Sequence, residues 1–282
     1  MATTPLAKAI GRNDLETARR LLAEDASQTK ETANPSTYDT HYEHAILYGS
    51  PEMVKLFIEH GADIEKPFVL TKYRPLTLAV LEARNPKVVK VLLDAGANVE
   101  AKVIGQNTVL HLINPRNYSD AARKYQILDY LIEAGADLNS PRGGLTLLHY
   151  TSYPEIAKRL IAAGADVNAK LSTGDTPLSV RLERPPFSVD TLKIIELLLE
   201  NGADVKIKVG GKSIYEKAMV LRHLPERIKA LFEEYKDYPT YLRRRHAIAA
   251  FAAAGAGAST ATRRGGRRRT RRHSLKAQRR YF

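Results

Sequence analysis

One short phrase recurs five times along this chain of 282 residues, and it constrains the fold more than any other feature. Each copy contains Gly-Ala followed by Asp or Asn, and the copies lie at 60–66, 95–101, 134–140, 163–169 and 201–207. A stretch with apolar residues at helical spacing precedes each copy. Because glycine adopts positive φ without steric cost, each phrase predicts a helix that ends in a left-handed C-cap.

A second phrase begins upstream of each of these helices, and Thr-Pro-Leu opens its clearest copies. Its first residues are Thr4, Thr40, Arg74, Thr108, Thr146, Thr176 and Ser213. They follow one another at intervals of 30 to 38 residues. The sequence predicts a first helix after these residues, shortened in the unit that begins at Thr146.

A turn, a first helix and a second helix ending in Gly-Ala-Asp together resemble the ankyrin repeat. The resemblance covers about residues 2–235 in seven units, with a weaker fit in the units that begin at Thr40 and Arg74. It implies an all-α solenoid, because each unit must stack on its neighbours to bury its apolar faces. We therefore expect a solenoid domain at 1–235, followed at 236–282 by an Ala- and Gly-containing linker and a disordered, Arg-rich tail.

The charge of the chain is concentrated in that tail. Residues 242–282 contain 13 Lys and Arg and no Asp or Glu, whereas the rest of the chain has 31 basic and 31 acidic residues. The basic positions of the distal tail are Arg263, Arg264, Arg267, Arg268, Arg269, Arg271, Arg272, Lys276, Arg279 and Arg280. Such a cluster indicates a nuclear targeting segment, an arm for nucleic-acid phosphates, or a solubilising tail. Ser274 lies in a context that resembles a basophilic-kinase phosphorylation site.

Composition excludes several kinds of chemistry and localisation. The chain has no cysteine, which excludes disulfides, thiolate nucleophiles and Cys-ligated zinc. No apolar run reaches the roughly 18 residues that span a bilayer, and residues 1–20 lack the features of a secretory signal. We expect an intracellular protein, in the nucleus, the cytoplasm or both.

The candidate nucleotide and metal motifs have simpler structural interpretations. GGKS at 210–213 resembles the end of a P-loop, but Lys206 stands where that motif needs glycine. His41, His44 and His60 have no carboxylate at convincing ligand spacing, so they are expected to be structural. We expect no metal and no cofactor.

The remaining candidate catalytic residues occupy positions that recur from one repeat unit to the next. The ankyrin resemblance implies that His111 and His149 are buried and hydrogen bonded to a neighbouring turn. The Asp of the Gly-Ala-Asp phrase recurs once per unit, whereas a catalytic carboxylate pair would occur once. Residues 224–235 faintly resemble the start of an F-box, but they fill the second helix of the last unit in register. We expect no enzymatic activity.

The ankyrin resemblance also implies where a partner binds: on the hairpin tips and on the concave face of the first helices. The candidate partner-binding residues are Tyr38, Asp39, Tyr48, Phe68, Leu70, Tyr73, Val103, Ile104, Arg116, Tyr118, Arg142, Tyr150, Tyr153, Leu171 and Asp175, with Glu82, Thr173 and Arg181 beside them. Several are large apolar groups on loops, where solvent favours polar ones. Tyr and Arg are enriched among binding hot spots.

The sequence therefore predicts a monomeric, non-catalytic adaptor that binds a macromolecular partner through these positions, with a basic tail for nuclear import or phosphate contact. Two alternatives remain open. The protein could be a nucleic-acid-associated protein that binds through its tail, or a ubiquitin-ligase substrate adaptor.

Overall fold

The computed structural model describes residues 4–29, 40–82, 85–103, 107–114, 118–183 and 185–236, which form seven stacked helical units. The first helices are α1 (Pro5–Arg12), α3 (His41–Tyr48), α5 (Pro75–Glu82), a 3-10 turn at Val109–Leu112, α8 (Leu147–Tyr150), α10 (Pro177–Leu182) and α12 (Ile214–Val220). The second helices are α2 (Leu15–Glu24), α4 (Pro51–Glu59), α6 (Lys87–Asp94), α7 (Tyr118–Glu133), α9 (Pro154–Ala162), α11 (Val189–Glu200) and α13 (Glu226–Lys236). The all-α solenoid is confirmed. Besides the paired helices, the described residues form a 3-10 turn at Ala26–Thr29 and a small hairpin of β1 (Lys208–Val209) and β2 (Lys212–Ser213).

Each helix stacks on its counterpart in the next unit. The second helices contact one another in an unbroken series from α2 to α13, and the first helices do so within units 1–4 and within units 5–7. One continuous apolar cluster runs through the stack, from Leu6 in α1 to Phe232 in α13, both fully buried. The units therefore share a single core.

The helix ends lie where the two phrases predict them. Gly61, Gly96, Gly135, Gly164 and Gly202 all have positive φ, between 81° and 94°. Every Thr or Ser that opens a first phrase is the N-cap of a first helix. The first helix after Thr146 has four residues, as expected, but so does the turn after Thr108, which the sequence did not predict to be short. Pro115 explains that shortening, because the residue before a proline is disfavoured in helical conformation.

A ladder of hydrogen bonds links the Gly-Ala-Asp turns of successive units. A side-chain oxygen of one turn accepts from a backbone N–H of the next turn: Glu65 from Asn98 (2.7 Å), Glu100 from Asp137 (2.8 Å), Asn139 from Asp166 (2.9 Å) and Asn168 from Asp204 (2.7 Å). The Asp or Asn of each phrase accepts from the backbone N–H two residues later. These carboxylates therefore belong to the scaffold, as the sequence predicts. In the last copy of the phrase Lys206, which is a donor and cannot accept, occupies the position of these bridging residues.

Replacing Asn168 with Ala is expected to lower the free energy of unfolding by about 1–2 kcal/mol, because the N–H of Asp204 loses its acceptor in a partly buried turn. Urea titration of the full chain measures the change. Lys206→Ala is the matched control, since it truncates an exposed ammonium group that cannot accept a ladder hydrogen bond, and it should change stability by less than about 0.5 kcal/mol. Equal losses in the two variants would contradict the ladder's role.

His111 and His149 occupy the buried positions that the family resemblance implies. The ring Nδ1 of His111 accepts from the Thr108 N–H (3.1 Å), and its Nε2–H donates to the Ser140 carbonyl of the next turn (3.0 Å). Nδ1 of His149 accepts from the Thr146 N–H at 3.2 Å, but its buried Nε2 has no hydrogen-bond partner among the described residues, so the expected bond to a neighbouring turn is found for His111 only. Burial lowers the pKa of both imidazoles, and nearby cationic side chains lower it further. Both rings therefore stay neutral as parts of the scaffold.

The three other histidines considered as metal ligands also make structural contacts. His41 joins units 1 and 2, because its ring contacts Thr4 Oγ1 (2.5 Å) and the Gln28 carbonyl (2.9 Å). The ring of His44 packs against that of Tyr48, and Nδ1 of His60 lies 2.8 Å from a carbonyl of its own helix. Across the part of the chain that the structure describes, no group of three or more His, Asp or Glu could hold a metal ion.

The depressed histidine pKa values predict that the protein loses stability in weak acid. Below about pH 6.5, the ordinary pKa of histidine, the unfolded chain binds protons that His111 and His149 do not bind when folded. The free energy of unfolding should therefore be largest above pH 6.5 and should decrease as the pH falls towards the lower pKa values of the folded histidines. Chemical denaturation of the wild type and of a His111→Asn/His149→Asn variant between pH 7.5 and 5 measures this effect. The variant should lose less stability over that interval, and identical slopes would contradict the assignment.

Candidate functional site

Several predicted binding residues lie outside the described residues. They are Tyr38, Asp39, Ile104 and Arg116, together with Ser274 and all ten basic positions of the tail. Tyr118 is the first residue of α7. The roles of all these residues, including Tyr118, stay predictions.

Three predicted residues from separate parts of the chain meet around one cavity on the first-helix layer. Tyr48 at the end of α3, Tyr73 before α5 and Glu82 at the end of α5 line a cavity of about 460 Å³. Glu43, Leu47, Thr71 and Leu78 complete the lining. The cavity thus lies between units 2 and 3, with aromatic, aliphatic and carboxylate groups on its walls.

The loop of unit 3 stands beside this cavity, and its closure fixes its shape. The N–H of Phe68 donates to the Tyr73 carbonyl, and the N–H of Lys72 donates to the Phe68 carbonyl, both at 2.9 Å. Lys72 closes the turn in the left-handed region, with φ of 59°. Outside the turn, an Arg74–Glu65 ion pair of 2.6 Å joins the two ends of the loop. This partly exposed pair adds little stability, but it holds the loop ends together.

The prediction that Phe68 is a contact residue of this tip is wrong, because its side chain is only 6% exposed. Its ring packs edge-on against Tyr42, with the centroids 6.1 Å apart, and Tyr42 stacks in turn on Phe57. The ring therefore anchors the loop in the core. A partner cannot reach it in this structure.

The anchored loop presents two aliphatic side chains to solvent. Val69 and Leu70 are 63% and 60% exposed, and both lie within the turn that Phe68 and Tyr73 close. The sequence prediction included Leu70 but missed Val69, although adjacent apolar residues in a loop carry the same signal. We call Tyr48, Val69, Leu70, Tyr73 and Glu82 the unit 2–3 surface.

A second group of predicted residues lies on unit 5. The guanidinium of Arg142 stands 6.0 Å from the ring centroid of Tyr150, whose hydroxyl donates to the His111 carbonyl at 3.4 Å. Tyr153 is partly buried against the core, so this group offers less apolar area to solvent than the unit 2–3 surface. Arg142 itself is exposed.

The remaining predicted residues serve mainly the scaffold. Arg181, expected on the binding face, is partly buried and donates to the Leu148 and Thr151 carbonyls, and desolvation lowers its pKa to about 10. These carbonyls lie at the shortened helix α8, so Arg181 replaces helical donors that α8 lacks. Asp175 accepts from Thr173 and Ser179, and Leu171 and Val103 are partly buried.

Truncation of Phe68 is expected to reduce the stability of the protein much more than truncation of Leu70. Phe68→Ala should lower the free energy of unfolding by about 3 kcal/mol or more, because it removes a buried ring and leaves a cavity against Tyr42. Leu70→Ala removes an exposed side chain and should change stability by less than about 0.5 kcal/mol. Urea titration of both variants measures the two changes in the free energy of unfolding. A stable Phe68→Ala protein would contradict the anchoring role.

Within the described ranges, no helix is long and apolar enough to cross a membrane.

Comparison with known proteins identifies the repeat. Residues 6–103 match the family model described as ankyrin repeats in three copies, and residues 143–171 match that of a single ankyrin repeat.

Two curated relatives share parts of this solenoid. The chain is 33% identical over 110 residues to Ankyrin repeat and SOCS box protein 6 of Homo sapiens, covering 38% of this chain and 25% of that protein. It is 30% identical over 162 residues to Phosphocholine transferase AnkX of Legionella pneumophila, covering 55% of this chain and 17% of that protein. The matched stretches are thus a quarter of these relatives' length or less.

Solved structures match more of the chain. The ankyrin repeat domain of Bcl-3 superposes with a TM-score of 0.64 at 22% identity, over 82% of this chain and 98% of that domain. An ankyrin repeat domain from Acinetobacter baumannii superposes with a TM-score of 0.57 at 25% identity, over 69% of this chain and 96% of that domain. These likenesses concern the fold.

Proposed function

This chain is an ankyrin-repeat protein, and from that premise we propose that it is a non-catalytic adaptor that binds a protein partner through the unit 2–3 surface. The ankyrin-repeat fold is typically a non-catalytic domain that mediates protein–protein interaction. The observation that carries the proposal is the exposed pair Val69 and Leu70, fixed beside the cavity by a loop whose anchor is buried.

Preorganisation is the physical reason to favour this surface. A loop that is already ordered loses little conformational entropy when a partner binds, so more of the contact energy contributes to affinity. Aliphatic side chains in water gain free energy when a partner covers them, by about 25 cal/mol per Å² of apolar area. Tyr48, which is 41% exposed, adds an aromatic group with a polar hydroxyl at the edge of the cavity.

The cavity also indicates what such a partner presents. Its walls combine Tyr48 and Tyr73 with the exposed carboxylate of Glu82, whereas Glu43 is buried. A protruding side chain with an apolar stem and a hydrogen-bond donor at its end suits that combination better than a purely apolar one.

We assign residues 1–235 to this binding role and residues 236–282 to a targeting role, through an import receptor or through nucleic acid. On this proposal the protein acts as a monomer in the nucleus, the cytoplasm or both.

The F-box interpretation finds no support in the packing of the last unit. Ile228 and Phe232 of α13 are fully buried, and α13 contacts α11 and α12. These contacts favour the reading of residues 224–235 as the second helix of unit 7. The relative AnkX is named as a phosphocholine transferase, but the match covers only 17% of it, so we propose no catalysis for this chain.

Truncating the exposed side chains of Tyr48 and Leu70 should weaken capture of the partner without unfolding the chain. Immobilised full-length protein is exposed to nuclease-treated lysate, and the retained proteins are identified by mass spectrometry. A Tyr48→Ala/Leu70→Ser variant should retain its partner at least about tenfold less well than wild type, as expected for hot-spot residues.

Val189→Ser/Val220→Ser is the matched control, because these residues are 68% and 69% exposed on units 6 and 7. It should capture the same protein as wild type. Equal capture by both variants would rule out the unit 2–3 surface. Failure of wild type to capture any specific protein would contradict the adaptor function itself.

A further inference from the structure

The cavity of the unit 2–3 surface lies at the C-terminal ends of two first helices. Tyr48 is the last residue of α3 and Glu82 is the last residue of α5, and both line the cavity. After Tyr48, α3 is capped by a backbone contact from the Gly49 N–H to the Ala45 carbonyl, at 2.8 Å. The carbonyls in the last turn of a helix lack helical donors and carry partial negative charge, which favours a cation nearby.

At two other first helices, a cationic side chain of the chain itself occupies such an end. The ammonium of Lys124, a buried residue of α7, donates to the Val80 carbonyl near the end of α5 at 2.6 Å. The guanidinium of Arg181 donates to the Leu148 and Thr151 carbonyls at the end of α8. This fold therefore uses Lys and Arg side chains to satisfy the ends of its first helices. The end of α3 differs from these two because a cavity lies beside it.

The charged groups in the described lining of this cavity are carboxyl groups. Glu82 is exposed and Glu43 is buried, and no Lys or Arg is among the described lining residues. Lys72 stands between Thr71 and Tyr73 in the chain, but it is exposed and does not line the cavity. The cavity therefore favours a positive charge over a negative one.

Two tyrosine rings give the cavity aromatic walls. The ring of Tyr48 packs edge-on against that of His44, with the centroids 5.2 Å apart, and burial lowers the pKa of His44, which keeps it neutral near pH 7. Tyr73 lines the cavity from the loop of unit 3. The face of a tyrosine ring attracts a cation, as the guanidinium of Arg159 shows at 5.6 Å from the Tyr125 centroid.

We propose that this cavity binds the guanidinium of an arginine in the partner protein, and that apolar neighbours of that arginine cover Val69 and Leu70. The inference rests on the proposed function, because it names the side chain that the unit 2–3 surface recognises. A guanidinium carries five N–H donors in one plane. It can therefore donate to the Glu82 carboxylate and to carbonyls at the end of α3 while its face lies against a tyrosine ring.

Other side chains suit the cavity less well. An apolar side chain would remove water from the Glu82 carboxylate without offering it a donor, which costs free energy. An acidic side chain would be repelled by the same carboxylate and by the helix ends. A lysine ammonium is compact and strongly hydrated, so it cannot stack on a ring and donate in several directions as a planar guanidinium does.

Three short peptides test the inference on the full-length protein. The probe is N-acetyl-Leu-Arg-Leu amide. Its citrulline analogue keeps the shape of the arginine but removes the charge, and its lysine analogue keeps the charge but removes the planar group. Binding is followed through the amide NMR signals of the ¹⁵N-labelled protein. The arginine peptide should shift signals of residues 43–48 and 71–82, and it should bind at least about fivefold more tightly than either analogue.

A charge-neutral variant tests the part played by Glu82. Glu82→Gln should reduce the preference for arginine over citrulline to less than about twofold, because the carboxylate no longer pairs with the guanidinium. Glu200→Gln is the matched control, since Glu200 is also an exposed last residue of a helix, on α11. It should keep the preference of the wild type. Both variants should keep the melting temperature of the wild type, because both side chains are exposed.

Equal binding of the arginine and citrulline peptides would overturn the inference, and so would equal binding of the arginine and lysine peptides. Absence of shifts at residues 43–48 and 71–82 with the arginine peptide would overturn it as well. The capture experiment reports on the proposed function separately. If capture requires Tyr48 and Leu70 while the peptides show no preference for arginine, the surface binds its partner by other contacts and only this inference fails. If capture does not depend on these two residues, the proposed function itself fails.

Discussion

No helical pair in this chain can bury its own apolar face, so the stacking of neighbouring pairs is the interaction on which the rest of the structure depends. Phe57, Leu92 and Leu131 are fully buried, and all three belong to the cluster that runs from unit 1 to unit 7. Stability then arises as a sum over the units and the interfaces between them, distributed along the whole of the shared core. Since the core is continuous and closed to solvent, any contact with another molecule must be made at loops, at the outer helix surfaces or at the two ends.

The ladder of turn hydrogen bonds complements this stacking by fixing register. Each bond contributes about 1 kcal/mol, which is small beside the buried apolar area, but each has a defined direction and length. Between the turns at 60–66 and 201–207, the ladder holds one end of each hairpin loop at a constant position relative to the next unit. The opposite end of the hairpin is free to vary, and in unit 3 that freedom produces the anchored loop with Val69 and Leu70 at its tip.

Features that repeat could be predicted from the sequence more completely than features that occur once. The glycine C-caps, the first helices and the buried positions of His111 and His149 follow from positions that recur in several units. Phe68 and Leu70 are two residues apart in one loop with no periodicity, so the sequence could not show that one faces the core and the other faces solvent. The contact with Tyr42, in the preceding unit, decides that question.

The candidate site was predictable as a set of residues but not as an arrangement. Tyr48, Tyr73 and Glu82 belong to separate phrases, and only the stacking of α3 on α5 brings them around one cavity. Arg181 was misplaced for a related reason. The short helix α8 was expected, and the carbonyls that it leaves without helical donors could have suggested that a cationic side chain of the next unit donates to them.

Lys206 gives the array a defined end. Because the ladder needs an acceptor in each turn that precedes another, a duplicated unit inserted between the turns that contain Glu65 and Lys206 inherits a compatible neighbour on both sides. A unit added after it would meet an ammonium group where an oxygen is required. Growth of this protein by repeat duplication is therefore easier within the array than at its C-terminal end, and variation in the number of units among related chains should be concentrated in the interior.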